Sequence, residues 1–153
     1  MKILIVYDSL YGNTQKVAES VRDGLSNDDI KLVRAKEAKK GDMQGIDMII
    51  VGSPTHGGRP SQETKKFLDS IPENGLKNIK AAAFDTGIPS EGQKFFLKAI
   101  INFFGYAAKR IANDLKKKGA NIIKSETFFV SGKEGPLVDG ELERAKEWGK
   151  GLV

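Results

Sequence analysis

The feature that most constrains this chain is a fivefold recurrence of short, largely apolar runs, each followed by residues with helical spacing. The runs are Lys2 to Tyr7, Ile30 to Arg34, Asp47 to Gly52, Ile79 to Asp85 and Asn121 to Val130. Runs rich in Ile and Val that lack polar alternation suit strands covered on both faces, as in a parallel sheet flanked by helices. Between them Val17, Val21 and Leu25 recur every four residues, Ile111 and Leu115 do the same, and Val138, Leu142 and Ala145 follow i, i+4, i+7. Such spacings mark the inner stripes of helices. Gly105 divides the stretch 92–118 into two helices. The first carries Phe95, Phe96, Ile100 and Phe104 as core or helix–helix contacts, and the second runs from Tyr106 to Lys118, closed by Gly119. The pattern predicts a single domain over residues 1–153: an open, doubly wound sheet of five parallel strands, helices on both faces, crossovers right-handed.

A chain of 153 residues, 39% hydrophobic, can bury an adequate core without disulfides or a structural metal. It has no cysteine and one histidine, which excludes thiolate metal sites, iron–sulfur ligation and cysteine nucleophiles. Electron chemistry would therefore need an organic cofactor. No apolar run reaches membrane-spanning length and the first residues do not read as a signal peptide, so a cytoplasmic protein with no membrane insertion is expected. The net charge of +5 would suit an anionic partner, but the bases are dispersed over helical faces and no aromatic-and-basic stripe accompanies them. Nucleic acid is not expected as a partner.

The first strand leads into Ser9-Leu10-Tyr11-Gly12-Asn13-Thr14 and then directly into a helix. The first amides of a helix have no intrahelical acceptor and carry about half a positive charge, so a phosphate fits there without lysine. Ser9, Asn13 and Thr14 add side-chain donors, and Gly12 allows close backbone approach. The same residue types also serve as turns and N-caps in proteins that bind nothing. Neither the Walker lysine motif nor G-x-G-x-x-G occurs in the chain.

Tyr7-Asp8-Ser9-Leu10-Tyr11-Gly12-Asn13-Thr14 resembles the phosphate loop of the flavodoxin family, with Ser-x-Tyr-Gly-x-Thr matching that family's [ST]-x-[TY]-G-x-T. The resemblance implies a flavodoxin-like sheet of order 2-1-3-4-5 with FMN at the carboxyl ends of the strands, a rule for which flavodoxin itself is a standard illustration. Gly52-Ser53-Pro54-Thr55-His56-Gly57-Gly58 is similar to the family's loop beside the flavin ring, which implies that Ser53, Pro54, Thr55, His56, Gly57 and Gly58 contact ring or ribityl chain. When a reduced flavin takes a proton on N5, a peptide that can turn its carbonyl toward it is useful. Gly57 or Gly58 can adopt the positive φ this needs. Asp85, Thr86 and Gly87, followed by Ile88 to Gly92, resemble the other ring-flanking loop, and Gly135 to Gly149 looks like the family's terminal helix, with Trp148 as a structural anchor.

The chain departs from acidic, aromatic-sandwiched flavodoxins: position 56 is histidine, Arg59 follows nearby, the net charge is positive, and no aromatic lies between Thr86 and Gly92. Cations near the ring would favour the reduced, anionic flavin. The resemblance implies a small FMN electron carrier working between redox partner proteins or small electron acceptors. The alternative is an FMN-dependent NAD(P)H:quinone or flavin reductase, and behind it a cofactor-free binding module. A phosphate-accepting receiver domain shares the strand order but needs an acidic pair after the first strand and an aspartate ending the third, where this chain has Asp8 alone and Val51-Gly52-Ser53.

Overall fold

The computed structural model describes residues 1–27, 29–90, 94, 95, 98, 99, 101 and 105–153. Ile3 to Tyr7 offer no polar face, and all five are buried in β1 (Ile3–Tyr7) at the middle of the sheet. β1 pairs in parallel with β2 (Ile30–Arg34) on one side and β3 (Met48–His56) on the other. A two-residue β4 (Arg59–Pro60) folds back antiparallel on the end of β3, a hairpin absent from the sequence reading. β5 (Lys80–Gly87) lies beside β3, and β6 (Asn121–Phe129) closes the sheet, giving a parallel order β2-β1-β3-β5-β6. With the hairpin strand set aside, this is the expected order.

Alternate residues of the central strands feed two cores. Leu4, Val6, Ile49 and Val51 face α2 (Gln62–Ser70), through Phe67 and Leu68, and α3 (Ala107–Lys117), through Ile111 and Leu115. Ile3, Ile5, Ile50 and Phe84 face α1 (Asn13–Gly24), through Val17 and Val21, and α4 (Glu141–Lys150), through Ala145. Edge strands β2 and β6 are only partly covered, and Phe128 alone is fully buried in β6, so double coverage holds for the centre of the sheet only.

Three helical expectations need correction. Val138 and Leu142 are exposed, and the inner stripe of α4 is Glu141, Ala145 and Gly149. Hydropathy could not indicate Glu141, whose buried carboxylate accepts the Phe129 amide at 2.7 Å and pairs with Arg144 at 2.7 Å. Phe95 is 89% exposed and belongs to no core, while Phe96, Ile100 and Phe104 lie outside the described residues. Tyr106 is the N-cap of α3, not its first turn. Trp148 does anchor α4, meeting Phe84 and Phe128 edge-on at 6.2 and 5.9 Å.

Helices α1 and α4 approach through glycines. A Cβ on Gly149 would stand 2.4 Å from the Val21 carbonyl oxygen, and one on Gly24 would stand 2.0 Å from the Lys146 carbonyl oxygen. Backbone cannot move aside as a side chain can, and overpacking a tight contact costs roughly 1–3 kcal/mol. Gly149→Ala is therefore expected to lower stability to urea by about 2 kcal/mol. An unchanged midpoint and slope would mean that the two helices slide apart freely.

Candidate functional site

A cleft opens where β1, β3 and β5 end. Its first wall is the β1–α1 loop, which brings Ser9, Leu10, Tyr11, Asn13 and Thr14 to the surface of the cleft. Gly12 caps α1 in the left-handed region at φ 89°, with no side-chain cap, and nothing lies within 4 Å of where its Cβ would stand. The Gly12 amide donates to Ser9 Oγ at 3.0 Å and the Lys16 amide to the Gly12 carbonyl. Among the described residues no acceptor faces the amides of Asn13, Thr14 and Gln15. That leaves three parallel donors at a helix N-terminus pointing into open space, which is what a phosphate group requires.

The loop is braced from behind. Arg34, at the end of β2, donates to the Ser9 carbonyl at 3.3 Å and to Gln15 Oε1 at 2.8 Å, and its guanidinium lies 5.4 Å from the Tyr7 ring centre. Asp8 accepts the Ser9 amide at 2.9 Å and the Ser61 hydroxyl at 2.5 Å. From the far side, Asn13 Nδ2 donates to the Glu134 carbonyl at 3.0 Å and so draws the β6–α4 loop over the cleft. Lys133 thereby joins the lining beside Val130. Sequence reading found neither Arg34 nor Lys133, because both come from segments remote from the loop they serve.

The second wall is the β3–β4 hairpin. Ser53 and Pro54 stay in register with Asp85 and Thr86, and Thr55 and His56 pair with Pro60 and Arg59, so the expected loop is an extended strand up to its tip. Gly57 at φ 56° and Gly58 at φ 77° form that tip. A two-residue hairpin turn with both central φ positive is the kind whose twist fits the flanking strands, and glycine takes it without strain. Pro54, Thr55 and His56 line the cleft. Ser53 does not: it is buried, accepting the Ser61 amide at 2.9 Å and donating to the Pro54 carbonyl. Arg59 does not either. It lies with Pro60, Gln62 and Arg110 in a separate groove, which corrects the expectation that it stands by the cleft.

The third wall is the end of β5. Thr86 and Gly87 remain in the strand, paired with Phe128 and Phe129, and line the cleft with Ile88. Thr86 Oγ1 and Thr14 Oγ1 are 2.7 Å apart and tie this wall to the first. Asp85 is wholly buried beneath it. It accepts from the Thr55 hydroxyl, from Thr127 Oγ1 at 2.6 Å and from the Ala107 amide at 3.0 Å. Burial pushes its pKa up to about 6, although these hydrogen bonds pull the other way. Asp85 is thus the knot under the cleft and not part of its lining. A second, more apolar lobe continues between Gly57, Gly58, Gly87, Ile88, Gly105 and Tyr106. The Tyr106 hydroxyl donates to the Ile88 carbonyl at 2.9 Å, so an aromatic side chain does reach this region, supplied by α3 and not by the β5 loop. The two lobes have volumes of about 90 and 160 Å³ and both open to solvent.

The sequence profile named Flavodoxin matches residues 5–148, nearly the whole chain. The chain belongs to the flavodoxin family. A flavodoxin of Maridesulfovibrio salexigens is 27% identical over 99% of this chain and 97% of its own. One from Aquifex aeolicus reaches 40% identity, over 46% of this chain and 40% of its own length. An NAD(P)H dehydrogenase (quinone) of Archaeoglobus fulgidus is 23% identical over 97% of this chain and 94% of its own. Among solved structures, a flavodoxin from the domain Archaea superposes with a TM-score of 0.74 at 21% identity, covering 99% and 96% of the two chains. Flavodoxins bind FMN, and this is an FMN-binding redox protein. The cleft suits that cofactor: unaccepted helix amides at one end for a phosphate, a glycine-rich and more apolar lobe at the other for a ring. Among the described residues no helix is long and apolar enough to cross a membrane.

Proposed function

We propose that this flavodoxin is an electron carrier, taking electrons from a reductase and passing them to an acceptor protein. The amides of Asn13, Thr14 and Gln15, with Ser9, Thr14 and Lys133 beside them, would hold the phosphate, and the His56–Gly58 edge and the Gly87–Ile88 backbone would hold the ring. FMN supplies the redox chemistry, accepting and releasing one or two electrons. The chain's residues do the rest. Thr14 and Thr86 fix the spacing of the two walls, Asp85 holds Thr55 and the start of α3 together, and the glycine tip offers a peptide free to turn its carbonyl or its amide toward a neighbour. The observation that carries this reading is the two-lobed cleft, whose apolar end is bounded by the exposed Gly57, so that a ring edge there would meet solvent and partners.

The likeness to NAD(P)H dehydrogenases (quinone) supports a second reading, an enzyme that oxidises the nicotinamide itself. The FMN-loaded protein mixed with NADPH or NADH and a water-soluble quinone separates the two. A carrier shows no nicotinamide oxidation beyond that of free FMN until a flavoprotein reductase is added. Sustained turnover by the protein alone would establish the enzyme instead.

A further inference from the structure

Beside the cofactor cleft, on the other side of the β3–β4 hairpin, runs a groove between β4, α2 and α3. Four cations line it, Arg59, Lys65, Arg110 and Lys117, against a single acid, Asp114. Asp114 is already shared by Lys65 at 3.4 Å and Lys117 at 4.0 Å. Among the described residues neither Arg59 nor Arg110 has a carboxylate within the 4.0 Å of an ion pair. α3 also carries Lys109 and Lys116, both exposed.

The position matters as much as the charge. Arg59 is the register partner of His56, and His56 borders the cofactor cleft while Arg59 borders the groove. Anything seated in the groove is one hairpin away from the ring end of the cleft. The groove's cations are long and exposed, Lys65 by 52% and Lys117 by 77% of the side chain, and no buried polar group fixes a small ligand among them. Mobile, solvated charges of one sign steer a large opposite surface and speed its encounter. Electron-transfer complexes in particular use small, weak interfaces.

Resting on the carrier reading, we infer that this groove docks the acidic face of the redox partner protein, with Arg59 and Arg110 as its two unpaired contacts. Guanidinium groups suit this because they present fork-shaped donors to carboxylates.

The test uses a fluorescein-labelled peptide of twelve glutamates and anisotropy titration at low and moderate salt, on the protein with and without FMN. Arg59→Glu with Arg110→Glu should weaken peptide binding at least tenfold. The same charge change placed elsewhere, Lys80→Glu with Lys146→Glu, should weaken it less than threefold. Equal losses in the two double variants would overturn the inference, since binding would then follow net charge alone. Displacement of the peptide by an equal concentration of inorganic pyrophosphate would also overturn it, in favour of a small-anion site. Failure of the FMN reading is separately visible: the protein would then stay colourless with added FMN while binding the peptide as before.

Discussion

Gly12→Val is expected to cost the protein about a hundredfold in FMN affinity while leaving riboflavin, which lacks the phosphate, bound as before. At φ 89° Gly12 sits where an L residue is strained by roughly 1–2 kcal/mol, and a β-branched one by more. The chain escapes that strain by rotating the loop. Rotation turns the amides of Asn13, Thr14 and Gln15 away from their common focus, and charge-assisted hydrogen bonds are worth about 1.5–3 kcal/mol each. Loss of one to two of them corresponds to about two decades in Kd. Lys133→Gln tests the opposite side of the same phosphate. Its side chain is exposed, so an ion pair there contributes only about 1 kcal/mol, and FMN affinity should fall about three- to tenfold with riboflavin unaffected. Isothermal titration with both ligands gives the two ratios directly. Equal losses of FMN and riboflavin in the Gly12 variant would place the phosphate elsewhere.

These two residues also mark the boundary of what could be read from the sequence. Gly12 belongs to a contiguous loop between a strand and a helix, so its neighbours in space are its neighbours in sequence and the pattern is visible in one line. The central strands were legible for the same reason, since Ile3 to Tyr7 and Met48 to Val51 have no polar face to turn outward. Lys133 reaches the cleft only because Asn13 ties down a loop more than a hundred residues later, and Tyr106 only because α3 starts beneath Gly87. No local pattern encodes such meetings. Arg59 was misplaced because the two-residue β4 is too short to leave a periodic trace in the sequence. Glu141 was missed because a buried charge is read as a surface one until its partners, the Phe129 amide and Arg144, are known.

Asp85 brings the same logic to stability. Its folded pKa, pushed by burial up to about 6, lies above the 3.8 of the unfolded chain, so between those values the folded state holds a proton that the unfolded state releases. The contribution is therefore fully present below about pH 4 and is lost as pH rises through 6. At 1.36 kcal/mol per unit this carboxyl alone makes the protein about 3 kcal/mol less stable at pH 7 than at pH 4. Glu141, held below its usual range by Arg144 and the Phe129 amide against the opposing pull of burial, acts in the reverse sense, so the comparison must be made between variants. Asp85→Asn cannot ionise, yet its amide oxygen can still accept from Ala107 and Thr55 while its NH2 donates to the Thr127 hydroxyl. Urea unfolding should thus show the Asn variant gaining about 3 kcal/mol on the wild type between pH 4 and pH 7. Asp85→Ala leaves the Thr55 and Thr127 hydroxyls without their acceptor, and the Ala107 amide with Thr55 Oγ1 alone, at roughly 1–3 kcal/mol for each buried group left unpaired. It should be the less stable variant at every pH and should loosen both ring-side walls, so that riboflavin and FMN weaken together, unlike the phosphate-loop variants. Parallel stability profiles for wild type and Asp85→Asn would show instead that the three hydrogen bonds hold the carboxylate ionised in the folded protein throughout that range.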